Sequence, residues 1–175
     1  MVGCLLFRES LQILRLGTDM KSIPWDMEIP VDLLEHWLNY FSMLEGLKDV
    51  TFPRSVKPDQ VDSSILPDLV TFSDGNEPSF GAVAYVLWTL MDGTRKAYLY
   101  VSKAKLAPLT HKGEVVKNEL SGATFAARLK IFIQQESGLQ FKCHIPFLDS
   151  RIVQYMIRRD SYTYNTFVGL CVSEI

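Results

Sequence analysis

The chain has 175 residues, 47% of them hydrophobic and 22% charged, with 10 glycines, 8 prolines and a net charge of −2. This balance excludes a disordered or collagen-like chain, leaves enough apolar mass for a sizeable core, and singles out no polyanionic partner by bulk charge. Residues 1–65 carry 6 Lys and Arg against 10 Asp and Glu, whereas residues 66–175 carry 12 against 10, so the second part is the mildly basic one.

The apolar stretch from Val2 to Phe7 is too short for a membrane span and has no basic segment before it, so no membrane partner is expected. Three cysteines, Cys4, Cys143 and Cys171, have no paired Cys-x-x-Cys spacing and read as free or buried thiols of a reducing compartment, cytoplasmic or nuclear. Apolar residues between positions 4 and 16 suggest a short helix ended by Gly17. Pro24, Trp25, Asp26 and Pro30 then form an extended or turning connector. From Val31 to Leu47, Leu34, Trp37, Leu38, Phe41, Leu44 and Leu47 recur mainly at three- and four-residue spacing and predict an amphipathic helix that Gly46 helps to stop.

Residues 49–67 are rich in Pro, Asp and Ser and have little periodicity, which marks a linker. The expected division is a helical connection segment over 1–65 and a second domain over 66–175. Strands are predicted at Leu66–Ser73, Ser79–Leu90 and Ala97–Lys103. The Asp92-Gly93 dipeptide joins the last two as a hairpin, and Asp74 is expected to end the first. A long helix follows from Val115 to Glu136, with Ser121, Gly122, Ala123, Ala126 and Ala127 small enough to let it lie close to a sheet. A fourth strand over Phe141–Leu148 leads into Asp149, a candidate cap for a helix containing Ile152, Val153, Met156 and Ile157. The order βββ, long α, β, α predicts an α/β mixed sheet, a three-strand antiparallel meander plus one parallel strand reached through a helix.

Three acids stand at element ends where this topology could bring them together: Asp74 and Asp149 at the same end of adjacent parallel strands, and Glu119 in the first turns of the long helix. Several carboxylates converging on one point are what divalent-cation phosphodiester chemistry requires, because hard cations take oxygen ligands and must keep positions open for water and phosphate. Each acid also has an ordinary explanation, as a turn residue, a helix cap or a dipole partner, and the spacing by itself favours the ordinary one.

The runs Phe72-Ser73-Asp74-Gly75-Asn76-Glu77-Pro78-Ser79-Phe80-Gly81-Ala82-Val83 and Ser102-Lys103-Ala104-Lys105-Leu106-Ala107-Pro108-Leu109 resemble segments of the ribonuclease H domain of BEL/Pao-type LTR retrotransposon polyproteins. Asn118-Glu119-Leu120-Ser121-Gly122-Ala123 with Ala127-Arg128-Leu129 is similar to that family's glutamate-bearing helix, and Leu148-Asp149-Ser150-Arg151-Ile152-Val153 to its third-acid segment. Upstream, Leu16-Gly17-Thr18-Asp19, Trp25-Asp26, Ile29-Pro30, Leu33-Leu34 and Trp37 look like the connector between reverse transcriptase and ribonuclease H.

The resemblance implies a ribonuclease H-like fold and metal-dependent hydrolysis of the RNA strand of an RNA/DNA hybrid. It makes Asp74, Glu119 and Asp149 the ligands of two Mg²⁺ or Mn²⁺ ions, and the reverse transcriptase region of the same polyprotein a partner. Ser73, Asn76, Lys103, Lys105 and Lys112 become candidate nucleic-acid contacts. The family pattern continues through a fifth strand and a fourth acid without a counterpart here, so the domain reads as truncated at its C-terminus. The alternative is a catalytically inactive module of the same fold that binds nucleic acid or a protein partner. An integrase core of the same fold is disfavoured because the acids come in the order Asp, Glu, Asp.

Overall fold

The computed structural model describes Asp26, Glu28 and residues 30–175 other than Phe52 and Lys112. The helix expected over 4–16 and Cys4 lie outside the described residues. The chain divides into two compact units, Met1–Pro53 and Arg54–Ile175.

In the first unit, helix α1 spans Val31–Glu45 and ends at Gly46. Pro30 precedes it, contributing a carbonyl to the Leu34 amide at 3.0 Å while lacking the N–H that a helix start would leave unpaired. The rings of Trp37, Tyr40 and Phe41 pack on one another with centroids 5.6–5.9 Å apart.

The second unit is built on a four-stranded sheet in the order β3-β2-β1-β4. Strands β1 (Asp68–Gly75), β2 (Ser79–Thr89) and β3 (Arg95–Leu106) form the expected antiparallel meander. Asp92 and Gly93 make the β2–β3 turn for identifiable reasons. The Asp92 carboxylate accepts from the Thr94 amide and hydroxyl, at 2.9 and 2.7 Å, and Gly93 takes φ +81°, which a side chain would oppose. Asp74 does not end β1 as expected. Gly75 continues the ladder opposite Phe80, so Asp74 sits inside it, paired with Gly81.

Helix α2 (Val115–Glu136) lies across one face of β1 and β2. Its Ala126, Leu129 and Ile133 pack with Leu69, Ala82 and Ala84 into a core in which Leu69, Ala84 and Ile133 are wholly buried. Strand β4 (His144–Leu148) then adds to β1 in parallel, starting three residues later than expected because Phe141 turns into the core and the Lys142 amide bonds the Pro67 carbonyl at 2.8 Å. Helices α3 (Arg151–Ile157) and α4 (Thr166–Glu174) complete a second cluster, in which Val153 and Val168 meet Leu120 and Ala123 of α2.

The segment before β1 is integrated despite its linker-like composition. Val61 bridges to Leu90 and packs with Val86 and Trp88, whose indole N–H donates to the Val56 carbonyl at 2.8 Å. At the start of β1, buried Asp68 accepts from Arg95 and from the Cys143 thiol, and that bond, with burial, pushes the thiol up from its ordinary value. Cys143 and Cys171 are both free. Among the described residues no helix is long and apolar enough to cross a membrane.

Candidate acidic site

Strand register brings the first pair of acids together. Strands β1 and β4 pair with Phe72 opposite Phe147 and Ser73 opposite Leu148. The pairing ends there, so Asp74 and Asp149 are each the next residue along its own chain at the same end of the sheet. The match is reinforced two residues earlier, where the Phe72 and Phe147 rings stack with centroids 4.8 Å apart and planes 12° from parallel. A one-residue slip would separate those rings and send the side chains to opposite faces.

Glu119 is delivered by close backbone packing. A Cβ on Gly75 would lie 2.3 Å from the Asn118 carbonyl carbon and 2.4 Å from the Glu119 nitrogen, and one on Gly122 would lie 2.7 Å from the Asp74 oxygen. Two glycines, one on each element, therefore let α2 touch β1 backbone to backbone on both sides of the Asp74–Glu119 approach. The Glu119 carboxylate reaches across to the turn that follows β4 and accepts from the Ser150 hydroxyl at 2.7 Å. Sequence reading offered Asp149 as the cap of α3, but the cap is Ser150, whose Oγ accepts from the Val153 amide while its proton goes to Glu119. That leaves the Asp149 carboxylate exposed and without a protein partner among the described residues.

The structure thus brings Asp74, Glu119 and Asp149 to one end of the sheet. Asp74 Oδ1 accepts from the Gly75 amide at 2.7 Å. Asp74 Oδ2 and Glu119 Oε1 have no partner among the described residues. All three groups are hard oxygen donors, and two of them are solvent-exposed, so the donor chemistry suits Mg²⁺ or Mn²⁺ better than a softer metal. As positioned, no three His, Cys, Asp or Glu side chains among the described residues converge closely enough to hold one ion.

The other candidates fall into separate places. Ser73 faces α2 and helps to line a cavity of about 410 Å³ with Thr71, His144, Ala127, Lys130 and Arg158. Asn76 is engaged in its own turn, its side-chain oxygen accepting from the Ser79 amide and hydroxyl at 3.0 Å each. Lys103 and Lys105 stand on β3, in rows with Ser73 and Gly75 through Ala82 and Phe80, two strands from β1. The Lys103 ammonium rests over the Phe132 ring at 4.6 Å. Lys112 lies outside the described residues.

Sequence reasoning missed Ser150 and the two close-approach glycines as parts of this end. The Asp-Ser pair before a helix was a signal for the first, and a glycine closing a strand for Gly75.

No curated protein and no solved structure matches the chain significantly. The family model described as "Pao retrotransposon-like RNaseH-like domain" matches residues 9–150, a span that contains the upstream segment, the meander, α2 and all three acids. The mixed sheet with one parallel strand is the RNase H-like α/β arrangement that this family implies. On that match the chain belongs to the Pao retrotransposon-like RNaseH-like domain family.

Proposed function

We propose that this RNase H-like domain hydrolyses the RNA strand of RNA/DNA hybrids with the help of divalent cations held by Asp74, Glu119 and Asp149. The observation that carries the reading is the β1–β4 register, whose last pair joins Ser73 to Leu148, the residues just before Asp74 and Asp149, while Glu119 reaches Ser150, the residue after Asp149. When bound, Mg²⁺ or Mn²⁺ supplies Lewis-acid stabilisation of the phosphate and a more acidic water. The chain's own part is to orient two of the carboxylates: Ser150 holds Glu119 and the Gly75 amide holds Asp74, which lowers the freedom to be lost on binding, while the unpartnered Asp149 side chain moves in to complete the set. Lys105 lies at the same end of the sheet and supplies positive charge for a backbone phosphate. The reverse transcriptase region of the same polyprotein is the expected partner in delivering the hybrid.

The test is incubation of the chain with a labelled RNA/DNA hybrid and Mg²⁺ or Mn²⁺, beside Asp74→Asn. Cleavage that is lost in the variant supports the reading. A second reading, a module that binds the hybrid without cutting it, is favoured by the absence among the described residues of a closed three-ligand cluster. Metal-independent hybrid binding with no cleavage by the parent would establish that reading and end the first.

A further inference from the structure

Asn118, the neighbour of Glu119, is polar and completely buried. It precedes Glu119 in the first turn of α2, where a polar residue would ordinarily face water. Its Nδ2 donates to the carbonyls of Asn76 and Glu77, at 2.9 and 3.2 Å, and its Oδ1 lies 3.1 Å from His111 Nδ1. Both carbonyls belong to the β1–β2 turn that follows Asp74 and Gly75, and His111 belongs to the 3-10 turn Leu109–His111 that leads into α2.

The orientation of this amide is dictated by its partners. Two carbonyls can only face the NH₂ group, so the oxygen must face His111, and the His111 proton must sit on Nδ1. The imidazole is held edge-on to Phe167, centroids 5.0 Å apart and planes at 81°. One buried amide therefore ties three segments together, and the peptide on its C-terminal side is the one seated on Gly75.

We infer that Asn118 is a positioning residue for the acidic site: it fixes the turn after Asp74 to the helix that carries Glu119, and so sets the separation of the two carboxylates. The inference rests on the metal-dependent reading above. It assigns Asn118 no contact with metal or substrate, and His111 acts only through Asn118.

The experiment measures Mn²⁺ affinity by water-proton relaxation, and the Mn²⁺ dependence of hybrid cleavage, in the full chain. Asn118→Leu keeps the branched heavy-atom shape and removes all three hydrogen bonds. The expected result is a Mn²⁺ dissociation constant raised about tenfold or more, with cleavage partly restored at high Mn²⁺, measured well below the variant's melting temperature. His111→Ala should shift the Mn²⁺ dependence in the same direction by a smaller factor. His111→Asn, whose amide nitrogen can take the place of Nδ1, should restore it, and this pair keeps the test decisive if Asn118→Leu does not fold. Unchanged Mn²⁺ dependence in folded Asn118→Leu, or in His111→Ala where the first does not fold, overturns the inference and leaves the proposed function standing. Absence of Mn²⁺ binding by the parent overturns both.

Discussion

Replacing Gly75 by alanine tests the arrangement at its tightest point. A Cβ there would be 2.3 Å from the Asn118 carbonyl carbon, against ordinary contact from 3.4 Å, so strand and helix must part by the difference, about 1.1 Å. The methyl is fixed rigidly to the strand and what it meets is backbone, so no side-chain rotamer can relieve the clash. Overpacking of this kind typically costs about 1–3 kcal/mol, and a rigid contact places Gly75→Ala near the upper end. The displacement falls between Asp74 and Glu119, where a shift of about 1 Å is enough to lower activity by roughly 10²-fold. Urea unfolding followed by circular dichroism gives the first quantity, and hybrid cleavage by the folded fraction gives the second. Gly93→Ala is the control. That glycine has positive φ but nothing within 4 Å and lies in the turn at the other end of the sheet, so it should lose about 1 kcal/mol and keep its activity. A Gly75→Ala protein within about 0.5 kcal/mol of the parent, with cleavage unchanged, would refute the backbone-contact account.

Two further outcomes follow from individual side chains. Ser150→Ala removes both the cap of α3 and the donor to Glu119 and should cost about 1–2 kcal/mol in urea unfolding, with cleavage reduced about tenfold; Ser150→Thr, which keeps the hydroxyl, should retain most of both. His144, 2.8 Å from the Thr71 hydroxyl, is held below the ordinary imidazole range by burial and then by the nearby Lys130 charge. Below about pH 6.5, the unfolded chain takes up a proton that the folded chain refuses. Stability should therefore be insensitive to this residue above that pH and fall beneath it, no more steeply than about 1.4 kcal/mol per pH unit. Urea midpoints at pH 5, 6 and 7 should show that fall in the parent and a flatter profile in His144→Gln.

The elements that could be read from sequence are those whose signals are local. Asp92-Gly93 specifies its turn through its own side chain and backbone, and α2 occupies Val115–Glu136 as its composition predicts. The small residues of α2 correctly announced close packing, yet nothing local says that Gly122 meets Asp74 or that Gly75 meets Asn118, because the partners are more than 40 positions apart. Asn118 was illegible for a related reason: a polar residue in a first turn reads as solvent-facing until the turn above it supplies two carbonyls. Residues 54–65 have the composition of a linker, and only the sheet end they meet shows Val61 to be core. The three acids were placed at element ends by pattern and given roles by resemblance. Their adjacency depends on a register that no single segment encodes.

The parallel pairing of β1 with β4 also bears on when this end of the protein comes into being. Asp74 and Asp149 are 75 positions apart and are joined only through the crossover that contains α2. At about 5–20 residues per second, synthesis takes roughly 4–15 seconds to travel from one to the other. During that interval the meander, whose contacts are local, can already assemble, whereas the acid pair has only one member. The two carboxylates can therefore reach the same end of the sheet only after the ribosome has passed Asp149, the residue that follows β4.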